Sequence, residues 1–379
     1  MKFNECAVFL RNAKERFVYV NIIKPLLFKI DAEKVHNKFI VIGKFLGSNW
    51  IMRNIVKSMF YYKNSKLKQQ LLGIVFENPV GLAAGFDYEG KLTQILPEVG
   101  FGFYTVGSVT FDSYGGNKFP RILRLPKSLS LLVNKGLKSP GAKSVILSLK
   151  NLKFKIPLGI SIAKTNCKLN SDENNEINDY IKSLKLWEQN NIGSYYEINI
   201  SCPNSFGGEV FTTPKKLEKL LKEIDKLKTK KPVFLKMPVD LTEKQTAALL
   251  KIAEKHYVQG LIFGNLTKNR ENYLFDNEEI IKAPKGNFSG MPTQEISNKL
   301  IKFSYKRYKN RFIIIGCGGI FNAEDAYKKI KYGASLIQVI TGMIFQGPQV
   351  ISQINQELVK LLEKDGYKNI SEAIGKNNQ

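Results

Sequence analysis

The residues with the clearest capacity for chemistry lie in the stretch 195–204, Tyr-Tyr-Glu-Ile-Asn-Ile-Ser-Cys-Pro-Asn. Apolar and β-branched residues alternate with polar ones, which predicts a buried strand, and Pro203 cannot donate to a sheet, so a loop begins there. Asn199, Cys202 and Asn204 therefore cluster at the carboxyl end of one strand, where parallel α/β folds bind ligands. A thiol beside amides can accept a proton and hold a planar polar ligand, although a lone cysteine is more often a buried structural residue.

The composition narrows the chemistry that these residues could perform. A chain of 379 residues is long enough for one α/β barrel with an appendage. The four cysteines have no paired spacing, so we expect neither disulfides nor a zinc cluster, and a reducing compartment is the simplest inference. The two histidines, His36 and His256, form no metal-ligand pattern. No metal is expected, and proton transfer must depend on Cys, Lys, Ser, Tyr or a carboxylate.

The formal net charge of +25 has two interpretations. Such a charge attracts nucleic acid, an anionic membrane or phosphorylated ligands. The lysines are, however, spread along the whole chain among many Asn and Ile residues, so a bias in composition explains the charge equally well. We find no secretory signal, and no apolar run approaches the ~18 residues that span a bilayer. A soluble or peripherally bound protein is expected.

Residues 1–70 differ from the rest of the chain. They contain fourteen Lys and Arg residues against four Asp and Glu residues, and no glycine before Gly43. Helices are predicted after the N-cap candidate Asp31 and over 50–61, with apolar and basic residues in both. Basic amphipathic helices with Trp, Phe and Leu suit an interfacial membrane anchor. A helical cap packed on the main domain is an equally good interpretation, and both can hold.

Strand and helix signals alternate from Leu71 onward. A hairpin is predicted at 72–80. Strands are predicted near 80–83, 103–107, 157–162, 195–200, 233–237, 260–264, 312–316 and 335–339, and helices near 214–228, 242–256, 293–308, 322–332 and 347–364. This number and order predict an α/β fold of the (β/α)8 TIM-barrel type over 71–379, with a small N-terminal helical extension over 1–70. Active-site residues are then expected at the carboxyl ends of the strands.

Small or polar residues occupy several predicted strand ends. Ala83, Ala84 and Gly85 would let the backbone approach a flat ligand closely. Lys236 ends an apolar strand, where an ammonium group is costly to bury unless it neutralises a charge. Glycine-rich loops at 316–319 and 341–342 follow the seventh and eighth strands, where TIM barrels commonly bind phosphate through backbone N–H groups. A phosphorylated cofactor with a flat ring would use all of these features, and FMN fits best.

On these motifs the chain resembles the dihydroorotate dehydrogenases, and its N-terminal part resembles the extension of their membrane-associated, quinone-dependent class. The resemblance covers residues from about 25 to 375. It rests on Leu-Phe-Lys-Ile-Asp-Ala-Glu-Lys-Val-His at 27–36, Asn-Pro-Val-Gly-Leu-Ala-Ala-Gly-Phe-Asp at 78–87, Ile-Asn-Ile-Ser-Cys-Pro-Asn at 198–204, Ser-Gly-Met-Pro at 289–292, Ile-Gly-Cys-Gly-Gly-Ile at 315–320 and Gly-Ala-Ser-Leu-Ile-Gln-Val at 333–339. In combination and order, these motifs are specific for the fold and for FMN.

The resemblance implies a role for each matching residue. Cys202 would be the base that removes the C5 proton of dihydroorotate while a hydride leaves C6 for the flavin, and Lys236 would stabilise negative charge at flavin N1. The residues expected to bind FMN are Ala83, Ala84, Gly85, Ser108, Ser161, Asn199, Lys236, Gly264, Gly290, Gly318, Gly319, Thr341 and Gly342. Those expected at the substrate are Tyr88, Asn134, Asn199, Asn204 and Asn265.

The resemblance also implies partners and a location. Dihydroorotate would be oxidised to orotate in pyrimidine biosynthesis, the route to UMP. Electrons would pass to a quinone that enters between the N-terminal helices. We therefore expect peripheral membrane association on the cytoplasmic side, and no nucleic-acid partner.

The chain departs from the family pattern at several positions. Tyr88 stands where the family has a substrate-binding lysine, and Cys202 stands where the quinone-dependent class has serine. Ser161 replaces a flavin-contacting asparagine, the stretch Gly264-Asn265-Leu266 lacks the usual threonines, and the loop 133–141 is one residue short. FMN binding survives these changes, whereas recognition of the substrate carboxylate is affected. Lys135 and Lys138 are candidates to replace the lost positive charge.

Three alternatives follow from the same residues. The FMN barrel could act on another dihydropyrimidine or a related cyclic amide, as the departures at Tyr88 and the short loop suggest. An RNA-modifying flavoenzyme resembling tRNA dihydrouridine synthase would use the basic charge and the cysteine, but no appended RNA-binding module is recognisable. A non-catalytic membrane-bound relic is the least favoured, because Asn199, Cys202, Asn204 and Lys236 are all retained.

Overall fold

The computed structural model describes residues 2–167 and 172–378. The strands are β1 Gln69–Leu71, β2 Ile74–Phe76, β3 Val80–Leu82, β4 Phe103–Val109, β5 Ile122–Leu125, β6 Ser130–Val133, β7 Leu158–Ile162, β8 Tyr195–Asn199, β9 Val233–Met237, β10 Gly260–Phe263, β11 Asn287–Gly290, β12 Ile313–Cys317 and β13 Leu336–Val339. The helices are α1 Lys2–Val18, α2 Lys24–Phe28, α3 Ala32–Ser48, α4 Trp50–Phe60, α5 Leu96–Val99, α6 Ala142–Leu149, α7 Glu173–Asn190, α8 Pro214–Asp225, α9 Glu243–Ala253, α10 Asn277–Lys282, α11 Gln294–Tyr308, α12 Ala323–Lys331, α13 Thr341–Gln346, α14 Val350–Lys364 and α15 Ile370–Ala373.

Eight parallel strands close into a barrel. Their order is β3-β4-β7-β8-β9-β10-β12-β13, and β13 pairs with β3 to complete the ring. Each of these strands corresponds to one predicted from the sequence, and they follow one another around the ring in chain order, so the predicted (β/α)8 barrel is confirmed. Seven of these strands are buried along their whole length and β12 is buried in its middle, because helices cover the outside and side chains fill the inside.

The barrel interior is layered because alternate residues of each strand point inward. The lowest layer is apolar and contains Phe103 of β4, Tyr195 of β8 and Phe234 of β9. Two residues further along β8 and β9, the next layer is polar and includes Glu197 and Lys236. The interior therefore changes from an apolar base to a polar upper part within one strand length.

A hairpin closes the base of the barrel. Strands β1 and β2 pair antiparallel, so the predicted hairpin exists, but it spans 69–76 instead of 72–80. Phe76 packs edge-on against Phe103 with 5.4 Å between ring centroids. The turn uses Leu72 and Gly73, both at positive φ. With this end filled by aromatic side chains, a ligand can enter only from the opposite end of the interior.

A second, antiparallel sheet lies beside that opposite end. It has the order β11-β6-β5, so a segment near residue 288 pairs with one near residue 132. None of these three strands was predicted from the sequence. They are short and irregular in their alternation, and β6 and β11 are more than 150 residues apart, so no local pattern indicates that they pair.

The N-terminal extension is helical from α1 to α4. Asp31 caps α3 by accepting a hydrogen bond of 2.8 Å from the Lys34 backbone N–H, as predicted. Helix α1 is fixed to α14 by the Arg11 guanidinium, which donates to Ser352 Oγ at 2.8 Å. Among the described residues, no helix combines the length and apolar character that crossing a bilayer requires.

Candidate active site

The carboxyl ends of the barrel strands surround one cavity of about 540 Å³. Residues from the ends of different strands, including Asn199, Cys202 and Lys236, share its wall. Of the residues predicted to form the site, the cavity is lined by Ala83, Ala84, Gly85, Tyr88, Ser108, Asn199, Cys202, Asn204, Lys236, Gly264, Asn265, Gly290, Gly318, Gly319, Thr341 and Gly342. The rule that parallel strands bring their carboxyl ends together accounts for this convergence.

A chain of hydrogen bonds fixes the amides at the strand ends. The Asn199 side-chain amide donates to Ser108 Oγ at 2.7 Å, and its oxygen accepts from the Ser201 hydroxyl at 2.9 Å. Asn265 in turn donates to Ser201 Oγ at 2.7 Å. Because each of these side chains is held by its neighbour, the amides present a pre-ordered polar surface to a ligand.

Ser161 and Asn134 do not line the cavity. Ser161 lies directly behind it, with its hydroxyl 2.8 Å from Ser108 Oγ. The side-chain oxygen of Asn134 accepts a hydrogen bond of 2.9 Å from Asn117. Ser161 can therefore orient Ser108, which faces the cavity, and Asn134 can orient Asn117, which itself contacts the loop after β8.

The Cys202 thiol faces the cavity from the loop after β8. Burial raises its pKa to about 11, and the nearby Glu209 carboxylate acts in the same direction. The Asn204 backbone N–H, Lys236 and Lys164 oppose this increase because they favour the negatively charged thiolate. The thiol is therefore protonated at neutral pH, with groups around it that stabilise charge as it forms.

Lys236 stands above a buried carboxylate. Glu197, two residues before Asn199 on β8, accepts hydrogen bonds from Thr105 at 2.6 Å and Gln338 at 2.8 Å. Burial raises the pKa of the Glu197 carboxyl, and the positive charge of Lys236 opposes the increase. The sequence analysis did not select Glu197, although a glutamate at an inward position of a buried strand is an unusual residue and would have been a usable signal.

The glycines after β12 and β13 are required by close packing. A Cβ atom at Gly342 would overlap the Ile320 carbonyl oxygen, and one at Gly319 would overlap the Gln294 side chain. Gly318 and Gly319 also have φ values of +93° and +65°. Backbone therefore forms the surface of the cavity here, and its N–H groups are free of side-chain bulk. Such a cradle fits the phosphate of a nucleotide cofactor.

Two further amides stabilise the loop that carries Cys202. Asn117 donates to the Asn204 backbone carbonyl at 3.0 Å, and the Phe206 backbone N–H donates to Asn166 at 2.6 Å. The sequence analysis selected neither asparagine. Asn166 could have been found, because it follows β7 as Asn204 follows β8. Asn117 could not, because it lies in a loop far from any barrel strand end.

Tyr88 lies among charged side chains at the edge of the cavity. The ammonium groups of Lys135 and Lys138 lie 4.7 Å and 5.7 Å from its ring centroid. The pKa of Lys135 is lowered to about 8, mainly by burial, with Lys138 and Arg121 acting in the same direction and Glu33 opposing the shift. Tyr88 stands where the family has a lysine, and the buried ammonium of Lys135, from the loop after β6, lies beside it.

The far part of the cavity is apolar and extends into the N-terminal helices. It is lined there by Leu27, Phe28, Ala32, Val35, His36, Phe39, Ile42, Gly43, Leu46, Val56 and Phe60. Tyr19 and Arg124 also line the cavity, and the Arg124 guanidinium lies 4.7 Å from the centroid of the Phe28 ring. Burial lowers the pKa of His36 to about 4, so it is neutral at pH 7. One continuous cavity thus connects the polar strand ends with an apolar passage between helices.

Among the described residues, no group of His, Cys, Asp and Glu side chains is arranged to hold a metal ion. A closed parallel barrel with a thiol, amides, an ammonium group and a glycine cradle around one carboxyl-end cavity is typical of an enzyme of the TIM-barrel class.

Known proteins specify this class further. The chain matches the family model of dihydroorotate dehydrogenase over residues 66–362. It is 35% identical over 376 residues to a Trichodesmium erythraeum protein named dihydroorotate dehydrogenase (quinone), covering 94% of this chain and 98% of that one. It is 33% identical over 372 residues to a Helicobacter acinonychis protein of the same name, with 94% and 98% coverage. A crystal structure of DHODH in complex with ferulenol from Eimeria tenella matches with a TM-score of 0.80 at 27% identity, covering 92% of this chain and 96% of that one.

The chain belongs to the dihydroorotate dehydrogenase family and is an oxidoreductase. The resemblance inferred from the motifs is confirmed. None of these relatives supports the alternative of an RNA-modifying enzyme.

Proposed function

We propose that the protein oxidises (S)-dihydroorotate to orotate with FMN as cofactor and passes the electrons to a quinone, in pyrimidine biosynthesis leading to UMP. The observation that carries this proposal is the continuous cavity, which is polar and glycine-lined at the strand ends and apolar between the helices. One end suits a flavin and a small polar substrate, and the other suits a lipid-soluble acceptor. In this division of labour, residues 71–379 hold FMN and residues 1–70 face the quinone and the membrane.

The residues of the cavity fit FMN. Backbone N–H groups of the cradle formed by Gly318, Gly319 and Gly342 would bind the phosphate, and Ala83, Ala84 and Gly85 leave room for the flat ring. When bound, FMN supplies the hydride acceptor. The chain supplies a dry, shaped site, because the apolar base of the barrel and the packed strand ends exclude water from one side of that ring.

Cys202 is the proposed base. Its Sγ would take the C5 proton of the substrate as the C6 hydride leaves, so that a C5–C6 double bond forms in orotate. A thiol with a pKa of about 11 is a weak source of thiolate at pH 7. Lys236, Lys164 and the Asn204 backbone N–H stabilise the negative charge that develops on sulfur, which lowers the barrier to forming it.

Lys236 is proposed to stabilise the negative charge that the redox step creates. Its side chain is 4% exposed, so its charge acts across a low-dielectric interior. Glu197 beneath it, and Asn199 beside it in register on β8, limit where the ammonium can lie. The fixed charge therefore needs little reorganisation during reaction.

The N-terminal helices suit peripheral attachment to a membrane, which we propose on the cytoplasmic side. Large apolar side chains are exposed at Phe9, Leu10, Phe17, Ile22, Ile23, Leu26, Ile30, Phe39, Val41, Ile42, Phe45, Trp50, Ile51 and Ile55. Phe39 and Ile42 also line the cavity, so its apolar part opens onto this exposed surface. A quinone could enter from a bilayer without crossing water.

The test is an anaerobic absorbance titration of the purified protein with L-dihydroorotate. A yellow flavin spectrum that bleaches rapidly supports both cofactor and substrate, and reoxidation by a soluble quinone then supports the acceptor. A yellow protein that stays yellow contradicts the substrate and favours another dihydropyrimidine. A protein that neither carries FMN nor acquires it on reconstitution contradicts the proposal as a whole.

A further inference from the structure

The Lys135 ammonium is a buried charge without a hydrogen-bond partner. Its side chain is 9% exposed, it lines the cavity, and no described residue accepts a hydrogen bond from its Nζ. The Lys135 ammonium lies over the ring of Tyr88, 4.7 Å from its centroid. The electrostatic attraction of that ring offsets only part of the loss of hydration.

The charges around Lys135 do not neutralise it. Lys138 approaches Glu33 at 3.8 Å and Arg121 approaches the same carboxylate at 3.5 Å, so one acid already serves two other cations. Glu89, which also acts on Lys135, forms an ion pair with Lys91. The edge of the cavity therefore carries an excess of positive charge that an anionic group could complete.

The backbone places this charge beside the proposed substrate amides. Lys135 follows strand β6, and the carbonyl of Val133 at the end of that strand accepts from the Asn204 side chain at 2.9 Å. Asn204 is in turn two residues from Cys202. A ligand that contacts Asn204 and Cys202 is thus adjacent to the loop that carries the unpaired ammonium.

We propose that Lys135 binds the carboxylate of the substrate, with Lys138 in a supporting role, while Tyr88 holds the Lys135 side chain in place. This inference rests on the proposed function, because it assigns the residue that recognises the acid group of dihydroorotate and orotate. The positive charge comes from the loop after β6, and position 88 supplies an aromatic ring in place of a cation.

The experiment compares two ligands on the FMN-loaded protein by calorimetry: orotate, and orotate methyl ester, in which the carboxylate charge is absent. In Lys135→Gln the Kd for orotate is expected to rise roughly 30-fold or more, because a buried charge loses its partner. The Kd for the ester is expected to change less than twofold. Lys135→Arg keeps the charge and is expected to bind orotate within a few-fold of wild type.

Lys143→Gln is the matched control, since Lys143 is an exposed lysine on the following helix, α6. It is expected to change neither Kd. Lys138→Gln is expected to raise the Kd for orotate only a few-fold, since Lys138 is more exposed and already approaches Glu33. A Lys135→Gln variant that folds, retains FMN and keeps the wild-type ratio of the two Kd values overturns the assignment.

The failure of this inference is distinct from the failure of the proposed function. If wild-type protein binds orotate and is bleached by dihydroorotate while Lys135→Gln does the same with unchanged affinity, only the anion assignment is lost. If the FMN-loaded wild-type protein binds no orotate, both are overturned.

Discussion

The two ends of the cavity are built in opposite ways. At the strand ends, Asn199, Ser201 and Asn265 are hydrogen-bonded to one another, and glycine positions leave no room for a side chain. Between the helices the lining is apolar, and it merges with side chains that are exposed. At the strand ends, hydrogen bonds hold each polar side chain in one orientation, and such fixed positions are what a bond-making reaction requires. The apolar lining between the helices suits an apolar molecule, because burial of apolar surface is favourable and does not depend on direction.

The exposed apolar side chains are also distributed unequally between the helical end and the barrel. Among the side chains that the structure describes, 23 large apolar ones are exposed, and 14 of these lie before residue 56, although this part is about one-seventh of the 379-residue chain. A folded protein normally scatters such residues. This concentration of exposed apolar side chains is what the proposed contact between the helical end and a membrane requires. Changes at the two ends should accordingly affect different steps.

The largest effect is expected at the polar end. Replacing Cys202 by Ala removes the proposed base, so the rate of flavin bleaching by dihydroorotate should fall about 10²- to 10⁴-fold while FMN stays bound. Stopped-flow absorbance measures the rate, and the ratio of flavin to protein absorbance measures the cofactor. Cys317→Ala removes another cavity-lining thiol and should change the rate only a few-fold. A Cys202→Ala protein that bleaches at the wild-type rate is incompatible with this role.

The same residue gives the expected pH dependence. A base acts in its deprotonated form, and burial raises the pKa of Cys202 to about 11. The thiolate fraction therefore increases as pH increases toward that value, and the rate at saturating dihydroorotate should increase from pH 6 to 9, by up to about tenfold per unit. A bleaching rate that is flat over this range would mean that Cys202 deprotonation does not limit the step.

A smaller, selective effect is expected at the apolar end. Val35 lines the passage and is 9% exposed, so Val35→Trp should obstruct it. Steady-state turnover with a quinone should fall about tenfold, while bleaching by dihydroorotate under anaerobic conditions stays near the wild-type rate. Val41→Trp, on the same helix but 67% exposed, is the control and should alter neither. Equal losses in both half-reactions would show that the two ends are not separable.

Membrane contact should depend on the same end, with an effect of several-fold. Phe45 and Trp50 are 65% and 66% exposed. Replacing both by Ser should lower the partition coefficient for anionic vesicles, measured by co-sedimentation, because apolar area contributes to interfacial binding. The control replaces Tyr273 and Ile281, which are 75% and 81% exposed on the barrel part. If both double variants lose binding equally, the helical end has no special role.

The smallest expected effect concerns the free energy of unfolding, which one substitution in the cavity should increase. Lys135→Met removes a buried charge that has no hydrogen-bond partner among the described residues, so unfolding should cost about 1 kcal/mol more than in wild type. Calorimetry of the ligand-free protein should detect an increase in Tm of about 1–2 °C. A lower Tm would indicate that Lys135 stabilises the fold instead of binding a ligand.

The sequence was sufficient for the polar end because its information is local. Strands of period two, followed by glycine or amide residues, indicate both the barrel and the positions that meet at its mouth. This is why Asn199, Cys202 and Lys236 were found to face one cavity as expected. The Asp31 cap of α3 was equally local, since it depends on residues three positions apart.

The rest could not be predicted because it depends on long-range contacts. Strand β6 pairs with β11, and Asn117 supports Asn204 from 87 positions away. The periodicity of apolar residues along the sequence does not indicate which distant residues come into contact. The Glu33 carboxylate between Lys138 and Arg121 likewise joins a helix of the extension to loops of the barrel. In the sequence, Lys135 was a candidate only because position 88 lacks the lysine of the family. That its ammonium has no hydrogen-bond partner among the described residues is seen only in the structure.

The bond between Arg11 and Ser352 has a consequence for how the chain is made. It joins residues 341 positions apart, and Gln356 makes a further bond to the Glu5 carbonyl. At 5–20 residues per second, the ribosome needs roughly 20–70 s to complete that interval. The apolar helices are therefore synthesised first and gain their docking partner last. During that time their contacts with α14 cannot form, and we expect a chaperone or a bilayer to cover their apolar side chains before the barrel has closed.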